Sequence, residues 1–322
     1  MSEPGRERVE AEAGGAQRIG RIVENLASVV HAPEDALQLC VLCLVSEGHL
    51  IIEDFPGVGK TMLAKALARS LEASFSRIQF TPDLLPSDVT GVNVFNQRSN
   101  EFEFRPGPVF ANLLLVDEIN RASPKTQAAL LECMQEDQVT IDGTTHHLVR
   151  PFMVMATQNP IEYEGTYPLP EAQLDRFTMR IELGYPPLAE EARMLTEQTS
   201  DPPLDALEPV TTAIEALALT EQAKRVFVEE SLTRYVVALI RHTRADTRLY
   251  LGGSPRSGIA LLRVAKARAL AAGRDYVLPD DVKAVARPVL GHRLILAPEA
   301  RSGGLTAGDV VREAMEKTPV PV

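Results

Sequence analysis

The sequence predicts an α/β fold in which a parallel sheet of five strands is followed by a smaller all-helical domain. Two observations support this prediction. Short apolar runs alternate with helical periodicity through the first half of the chain, the pattern of parallel strands joined by crossover helices. From Ala189 onward the pattern is helical with Pro-rich interruptions, and no strand is expected after Pro209. The five expected strands lie at residues 50–52, 75–80, 113–116, 152–157 and 177–183.

These patterns divide the chain into four parts. Residues 1–17 are rich in Glu, Gly and Ala without periodicity and are expected to form a mobile tail. The α/β domain is expected over residues 18–186, a linker over 187–218 and the helical domain over 219–322. Within the α/β domain, residues 138–148 alternate on both sides of Asp142-Gly143, a strong hairpin signal. An inserted hairpin on an α/β scaffold is more often functional than structural.

A Gly- and Pro-rich turn joins the first expected strand to a helix. Glycines there let successive backbone N–H groups point at a polyphosphate, and the helix N-terminus adds the positive end of its dipole. Lys60 is expected to reach the β- and γ-phosphates and the Thr61 hydroxyl to bind Mg²⁺. Asp54 stands where the simple phosphate-loop pattern has its first glycine, so the match is partial. The candidate cofactor-binding residues are Pro56, Gly57, Val58, Gly59, Lys60, Thr61 and Met62.

The third expected strand ends in two adjacent carboxylates. Four apolar residues precede Asp117 and Glu118, as a buried central strand requires. Downstream of a phosphate loop, Asp117 is expected to hold Mg²⁺ and Glu118 to polarise the attacking water. The two segments together predict ATP hydrolysis with Mg²⁺.

Three further residues are candidates on less specific grounds. Asn159 follows the fourth strand at the edge where parallel sheets bind ligands; it would bond the γ-phosphate or the water, although spacing alone favours a turn-forming Asn before Pro160. Arg176 precedes the fifth strand and is either a surface ion-pair residue or a group that reaches a neighbouring subunit's ATP. Arg256 begins a helix after a flexible turn and would report the nucleotide state to the helical domain.

Composition narrows the class of protein. The 322 residues are 45% apolar and 24% charged, an ordinary globular balance, and carry a net charge of −11. No apolar run approaches the ~18 residues that span a bilayer, and the N-terminus lacks a secretion signal, so a cytoplasmic protein without membrane insertion is expected. Cys40 and Cys43 lie in an apolar helical run and are interpreted as buried hydrophobic residues. His146 and His147 are interpreted as hairpin residues rather than metal ligands.

The ordered motifs resemble the MoxR family of AAA+ ATPases, in the helix-2-insert clade, over nearly the whole chain. They comprise residues 56–61, 116–122, 156–160, 169–177 and 253–256, and the acidic Asp54 also resembles that family. The resemblance implies Asn159 as sensor 1, Arg176 as the trans-acting arginine finger, Arg256 as sensor 2 and the Asp142-Gly143 hairpin as the helix-2 insert. Arg121 is similar to a family position without an assigned role.

The resemblance also implies an assembly and a partner. We expect a homo-oligomeric ring, a hexamer, with ATP between the α/β domain and the helical lid of one subunit and Arg176 of the next subunit completing the site. Such a chain would remodel protein clients during maturation or metal-cofactor insertion, with a von Willebrand factor A domain partner. Three alternatives remain: a nucleic-acid remodeller, favoured by eight Lys and Arg residues within 241–274 but disfavoured by the net charge; a chelatase-type motor; and a scaffold with little turnover.

Overall fold

The computed structural model describes residues 3–159, 166–185, 191 and 204–321, with side chains from residue 14 onward. Residues 187–190 and 192–203 of the predicted linker lie outside the described residues. The first domain contains α1 (Glu3–Ala27), α2 (Glu34–Val45), β1 (Leu50–Glu53), α3 (Lys60–Ser70), β2 (Phe75–Gln79), α4 (Pro86–Thr90), β3 (Gly91–Asn96), β4 (Glu101–Pro106), β5 (Leu113–Asp117), α5 (Pro124–Glu136), β6 (Gln138–Ile141), β7 (Thr144–His147), β8 (Met153–Gln158), α6 (Glu171–Leu174) and β9 (Met179–Ile181).

The second domain is mainly helical. It contains α7 (Ala213–Arg225), α8 (Glu230–Ala245), β10 (Leu249–Leu251), α9 (Pro255–Ala271), α10 (Pro279–Leu290), β11 (Ile295–Leu296), α11 (Pro298–Ser302) and α12 (Ala307–Lys317). The prediction of an all-helical domain without strands after Pro209 was therefore incomplete, because β10 and β11 form a small antiparallel sheet. Strands of two or three residues are too short to show an alternating pattern. The first helix of this domain begins at Ala213, within the residues predicted as a linker.

A five-stranded parallel sheet forms the centre of the first domain and confirms the predicted fold class. Its spatial order is β2-β5-β8-β1-β9, and every pairing within it is parallel. Strand β5 is buried along its whole length, and its side chains alternate between two apolar cores. Leu113 and Leu115 belong to the core that continues into the helical domain, whereas Leu114 and Val116 belong to the core on the other face. Helices on both faces explain why the strands read as continuous apolar runs.

The helical domain packs on one side of the sheet through a shared apolar core. Its longest helix, α9, contacts α1 and α2, and α10 contacts β9. A Cβ added to Gly15 of α1 would approach the Leu270 side chain of α9 to 3.1 Å, which shows how closely α1 and α9 lie. This arrangement fixes the domain against α1 and α2.

The N-terminal residues begin the first helix. We expected residues 1–17 to form a mobile tail, whereas α1 starts at Glu3. Ala, Glu and Arg are strong helix formers, so the segment has high helix propensity although it lacks an apolar stripe. The described apolar contacts of α1 lie further along, at Ile19, Ile22 and Leu26, which are buried.

Two hairpins project from the α/β domain, and the sequence indicated one of them. The predicted hairpin is confirmed as β6–β7, where Asp142 and Gly143 have φ of +48° and +81°, as a type I′ turn requires. The hairpin β3–β4 was not predicted. It follows α4, the second of the crossover helices α3, α4 and α5, whereas β6–β7 follows the third. The interpretation of Asp142-Gly143 as the helix-2 insert was therefore wrong, because β3–β4 holds that position.

No helix in the described part of the chain combines the length and the apolar character needed to cross a bilayer.

Candidate functional site

The phosphate loop connects β1 to α3, as predicted. Gly57 and Gly59 have φ of +86° and +94°, the left-handed region in which other residues are strained. A Cβ at either position would meet no atom within 4 Å, so glycine is required for its backbone conformation and not for space. Of the other candidates, Val58 is buried and Met62 packs against the same core. Their side chains therefore hold the loop in place and leave only their backbone groups for a ligand.

Asp54, the residue that departs from the simple pattern, fastens the loop to the end of β9. Its buried carboxylate accepts hydrogen bonds from the backbone N–H groups of Phe55 (2.8 Å), Leu183 (2.7 Å) and Gly184 (2.6 Å). A carboxylate that accepts several N–H bonds is well satisfied in a buried position. A glycine has no side chain to make this connection, which explains the acid at this position.

Lys60 lies among the acids that the sequence assigned to the same site. Its ammonium group donates a hydrogen bond to the backbone carbonyl of Asp54. Partial burial lowers the pKa of Lys60, and the negative charges of Asp54, Asp117 and Glu118 oppose that shift. The cation of the phosphate loop and the two carboxylates of β5 therefore share one electrostatic environment.

A threonine that the sequence analysis missed positions both carboxylates. The buried Thr157 hydroxyl, on β8, donates to Asp117 Oδ1 (3.2 Å) and accepts from the backbone N–H of Glu118 (3.0 Å). Glu118 has φ and ψ of +54°, a conformation that costs a non-glycine residue about 1 kcal/mol or more. The hydrogen bond from its N–H helps to hold this conformation. The sequence signal was position: Thr157 is the second-to-last residue of β8, the strand beside β5, one register step beyond the pair Val116 and Ala156.

Two residues of β2 and one after β5 bind the same carboxylates. Arg77 Nε donates to Asp117 Oδ2 at 2.6 Å. Gln79 Nε2 and Arg121 Nη1 donate to Glu118 Oε2 at 2.6 and 2.8 Å. Arg77 and Gln79 lie two residues apart and therefore share one side of β2. The sequence shows this spacing, but only the strand order, which places β2 beside β5, shows that the two side chains face the carboxylates.

The donor atoms near the loop fit Mg²⁺. Thr61, which carries a hydroxyl, is the second residue of α3, and Asp117, which carries a carboxylate, is the last residue of β5. Mg²⁺ prefers oxygen donors and is commonly held by one or two protein groups together with substrate phosphates. Asn159 directly follows β8, which lies between β5 and β1 in the sheet. Its position is therefore between the two carboxylates and the phosphate loop, as a sensor of the γ-phosphate would require.

Arg176 and Arg256 lie together, but at the end of the sheet opposite the phosphate loop. They line one cavity of about 310 Å³ with Arg263 and Arg293. His49 and Thr178, which also line it, immediately precede β1 and β9. The cavity is thus at the amino ends of the parallel strands, whereas the phosphate loop and the two carboxylates are at their carboxyl ends. Arg256 of the helical domain therefore lies beside Arg176, at the end of the sheet opposite the phosphate loop.

The arginine cavity combines one paired and three unpaired guanidinium groups. The side chain of Arg293 is buried and donates to Asp175 Oδ1 at 2.7 Å. Within the described residues, Arg176, Arg256 and Arg263 make no ion pair at the 4.0 Å limit. Among the described residues, the four arginines that line the cavity outnumber its two acids, Glu47 and Asp175, so the lining carries a net positive charge.

Cysteines and histidines that the sequence analysis singled out lie in the core and between the hairpins. Cys40 and Cys43 are fully buried, and burial raises the pKa of Cys40 to about 12, which agrees with their interpretation as small hydrophobic residues. His146 stacks on Phe104 with 4.1 Å between ring centroids, so it joins the two hairpins. In the described part of the chain, no group of three or more His, Cys, Asp or Glu residues is arranged to hold a metal ion.

Comparisons with known proteins agree with this geometry. The sequence model of the family described as "ATPase family associated with various cellular activities (AAA)" matches residues 49–179, and the model of the AAA lid domain matches residues 241–314. A crystal structure from Cytophaga hutchinsonii, assigned as an ATPase, is similar over 100% of both chains with a TM-score of 0.92 and 38% identity. The fold and the site therefore define an ATP-hydrolysing enzyme of the AAA+ class.

Relatives narrow the class further. Chaperone MoxR1 of Mycobacterium tuberculosis is 40% identical over 97% of this chain and 86% of its own length. The Bacillus subtilis protein YeaC, described as uncharacterized, is 50% identical over 94% of this chain and 95% of its own. The chain belongs to the MoxR family of AAA+ ATPases, and the resemblance noted from the motifs is confirmed.

Proposed function

We propose that this ATPase works as a ring in which each ATP is bound between two copies of the chain. The supporting observation is that the phosphate loop and the arginine cavity lie at opposite edges of one sheet. One subunit cannot bring both to the same nucleotide. When copies are arranged head to tail, however, the arginines of each copy face the phosphate loop of the next.

Each site residue then has a role. Lys60 binds the β- and γ-phosphates, Thr61 and Asp117 hold Mg²⁺, Glu118 polarises the attacking water and Asn159 senses the γ-phosphate. Arg176 and Arg256, supplied by the adjacent subunit, stabilise the negative charge on the transferred phosphoryl group. Bound Mg²⁺ would neutralise phosphate charge at this site.

The two hairpins are the proposed contact with a protein client. On β3–β4, Phe95 and Phe102 meet edge to face with 5.3 Å between ring centroids and are 46% and 71% exposed. Exposed aromatic pairs of this kind favour contact with other apolar chains. Asn93 donates to Asp142 at 2.8 Å, so movement of one hairpin is transmitted to the other.

The name of one relative supports a protein client. That relative is named as a chaperone, and we propose that this chain remodels proteins, in maturation or metal-cofactor insertion. A von Willebrand factor A domain partner, a hexameric ring and a cytoplasmic location complete the proposal.

Binding to nucleic acid is the second candidate, and the described contacts weaken it. Part of the basic stretch from Arg241 to Arg274 is internally neutralised: Arg248 pairs with Asp246 (2.7 Å) and Glu313 (2.8 Å), and Arg274 pairs with Asp281 (2.6 Å). Paired guanidinium groups release few counterions on binding a phosphate backbone. ATPase stimulation by DNA or RNA at low salt would nevertheless revive this candidate.

Mixing experiments test the shared site. The Mg-ATPase rate per subunit should rise with protein concentration, and Arg176→Ala, Arg256→Ala and Glu118→Gln should each reduce it by about 100-fold or more. A mixture of Glu118→Gln with either arginine variant should recover part of the activity. A mixture of the two arginine variants should recover none, because both arginines lie on the same face.

Two outcomes would contradict the proposal. Recovery in the mixture of both arginine variants would mean that Arg256 acts on the ATP of its own subunit. A rate that is independent of concentration and insensitive to Arg176→Ala would mean that one chain completes the site. Arg234→Ala is the matched control, since Arg234 is an exposed arginine of α8 that pairs only with Glu230 among the described residues.

A further inference from the structure

Two exposed aromatic rings stack on each other beside the phosphate loop. Phe55, within the loop, and Tyr185, four residues after β9, lie with 5.8 Å between ring centroids and 16° between ring planes. Phe55 is 36% exposed and Tyr185 is 67% exposed. None of the site roles proposed so far uses either ring.

The backbone beneath the two rings is fixed by one carboxylate. Asp54 accepts from the N–H of Phe55 and from the N–H groups of Leu183 and Gly184, the residues just before Tyr185. The positions of both rings relative to the loop are therefore set before any ligand binds. Such preorganisation lowers the cost of ordering a binding surface.

The order of the strands decides which end of a nucleotide reaches these rings. The carboxylates of β5 and Asn159 after β8 lie on one side of β1, and β9 lies on its other side. The γ-phosphate must face the carboxylates and Asn159, because hydrolysis takes place there. A nucleotide held by the loop therefore directs its base away from β8, toward the side on which β9 ends.

We propose that Tyr185, supported by Phe55, is the stacking platform for the base of the bound nucleotide. The base lies on the exposed face of the tyrosine ring while Phe55 supports its opposite face. Stacking is tolerant of base identity because every base has a π face, so the platform adds affinity for the nucleoside without selecting adenine strongly. This inference rests on the proposed binding of ATP at the phosphate loop.

Binding measurements with and without the base test the platform. ATP and inorganic tripolyphosphate are titrated, each with Mg²⁺, into the wild-type chain and into Tyr185→Ala, Tyr185→Phe and Lys60→Ala. Tyr185→Ala should weaken ATP binding about tenfold, the usual loss for one base stack, and leave tripolyphosphate binding unchanged. Tyr185→Phe should bind ATP as the wild type does, because the hydroxyl takes no part. Tyr250→Ala, at an 82% exposed tyrosine of β10, is the matched control.

A spectroscopic variant gives an independent readout. The chain contains no tryptophan, so Tyr185→Trp introduces its single indole. ATP should quench that fluorescence, and tripolyphosphate should not, since only the base contacts the ring.

Each contrary outcome is distinct. Unchanged ATP affinity in Tyr185→Ala, with no quenching in Tyr185→Trp, would overturn the platform. Equal losses for ATP and tripolyphosphate would also overturn it, because the ring would then only shape the loop. Altered sedimentation of Tyr185→Ala with unaltered ATP affinity would assign the pair to a contact between subunits instead. If the wild type binds neither ligand and Lys60→Ala changes nothing, the proposed function fails and the platform fails with it, a result distinct from a loss confined to the Tyr185 variants.

Discussion

The side chains around Thr157 show how one hydroxyl can serve two acids with different tasks. Thr157 donates to Asp117 and accepts from the backbone of Glu118, so the carboxylate proposed to bind Mg²⁺ and the carboxylate proposed to polarise water share one buried support. Neither bond follows from the motif itself. The carboxylates were recognised by their spacing, but the group that orients them lies forty residues away in the chain.

Thr157→Val should therefore separate positioning from binding. The substitution keeps the shape of the side chain and removes both hydrogen bonds, each worth about 1 kcal/mol. We expect kcat to fall about 10- to 100-fold while the Kd for ATP changes less than threefold. Steady-state kinetics and calorimetric titration measure the two values. Thr220→Val, at a buried threonine of α7 away from the site, is the control, and an unchanged kcat in Thr157→Val would remove this role.

His49 gives the fold a dependence on pH. Its ring is fully buried between Met134 and Val154, with the carbonyl of Met134 at 3.0 Å from Nε2 and the N–H of Val154 donating to Nδ1 at 3.0 Å. Burial lowers the pKa of His49 from 6.5 to about 4. The neutral ring is favoured in the fold, so its contribution to stability is complete above pH 6.5 and is lost as pH falls toward 4.

The expected loss is about 2 kcal/mol between pH 7 and pH 5, because the unfolded chain binds a proton that the folded chain excludes. Urea unfolding at the two pH values measures it. His49→Gln should unfold with a smaller pH dependence than the wild type, although it is less stable at pH 7. Burial also lowers the pKa of His292, so this residue adds to the pH dependence in the same direction. A variant in which both His49 and His292 are replaced should therefore show a smaller pH dependence of unfolding than His49→Gln alone. An equal pH dependence in wild type and His49→Gln would contradict the assignment.

At the scale of elements, the two hairpins depend on different physical requirements. The base of β3–β4 brings the backbone at Gly91 and Gly107 so close that a Cβ on Gly107 would lie 2.3 Å from the carbonyl oxygen of Val89. The turn of β6–β7 has open space around Gly143 but needs its φ of +81°. Only the positive φ at Gly143 can be predicted from the sequence, because an Asp-Gly pair between two segments of alternating apolar and polar residues is typical of a hairpin turn. For that reason β6–β7 was predicted and β3–β4 was not.

Three glycine substitutions test this distinction. Gly107→Ala should destabilise the β3–β4 hairpin by about 1–3 kcal/mol, since backbone must move. Gly143→Ala should cost about 1 kcal/mol through its positive φ. Gly20→Ala, in α1 with no atom within 4 Å of the added Cβ, should instead stabilise the chain by about 0.5–1 kcal/mol. Hydrogen exchange of the hairpin amides and urea unfolding measure these effects, and a neutral Gly107→Ala would show that the hairpin base is mobile.

At the scale of the whole molecule, a buried arginine connects the helical domain to the sheet. Arg293 donates to Asp175 at 2.7 Å and to the carbonyls of Phe177 (2.6 Å) and Thr178 (2.9 Å). Removal of one partner of a buried ion pair costs about 3–5 kcal/mol, because a charge stays buried without compensation. This connection also sets where Arg176, next to Asp175, lies relative to Arg256 of α9.

Asp175→Asn should therefore lower stability by about 3 kcal/mol and reduce ATPase activity of the assembled protein together. The Kd for ATP should not change, since the phosphate loop is at the opposite edge. Arg293→Met in the same background should recover part of the stability by removing the unpaired charge, but not the activity. Thermal unfolding and nucleotide titration provide the values. A fall in ATP affinity of the isolated subunit would contradict the separation of the two edges.

Local periodicity, glycine geometry and spacing along the chain were sufficient to predict several features of this protein. These are the α/β class, the five strands, the phosphate loop, the two carboxylates and the β6–β7 hairpin. Only the tertiary structure decided the partners of those residues: Thr157, Arg77 and Gln79 on the carboxylates, Asp54 on β9, and Arg256 beside Arg176 at the amino ends of the strands. The physical reason is that strand order and domain packing bring together residues far apart in sequence. A motif records which chemistry is present, and the packing of the whole chain decides which groups share a site.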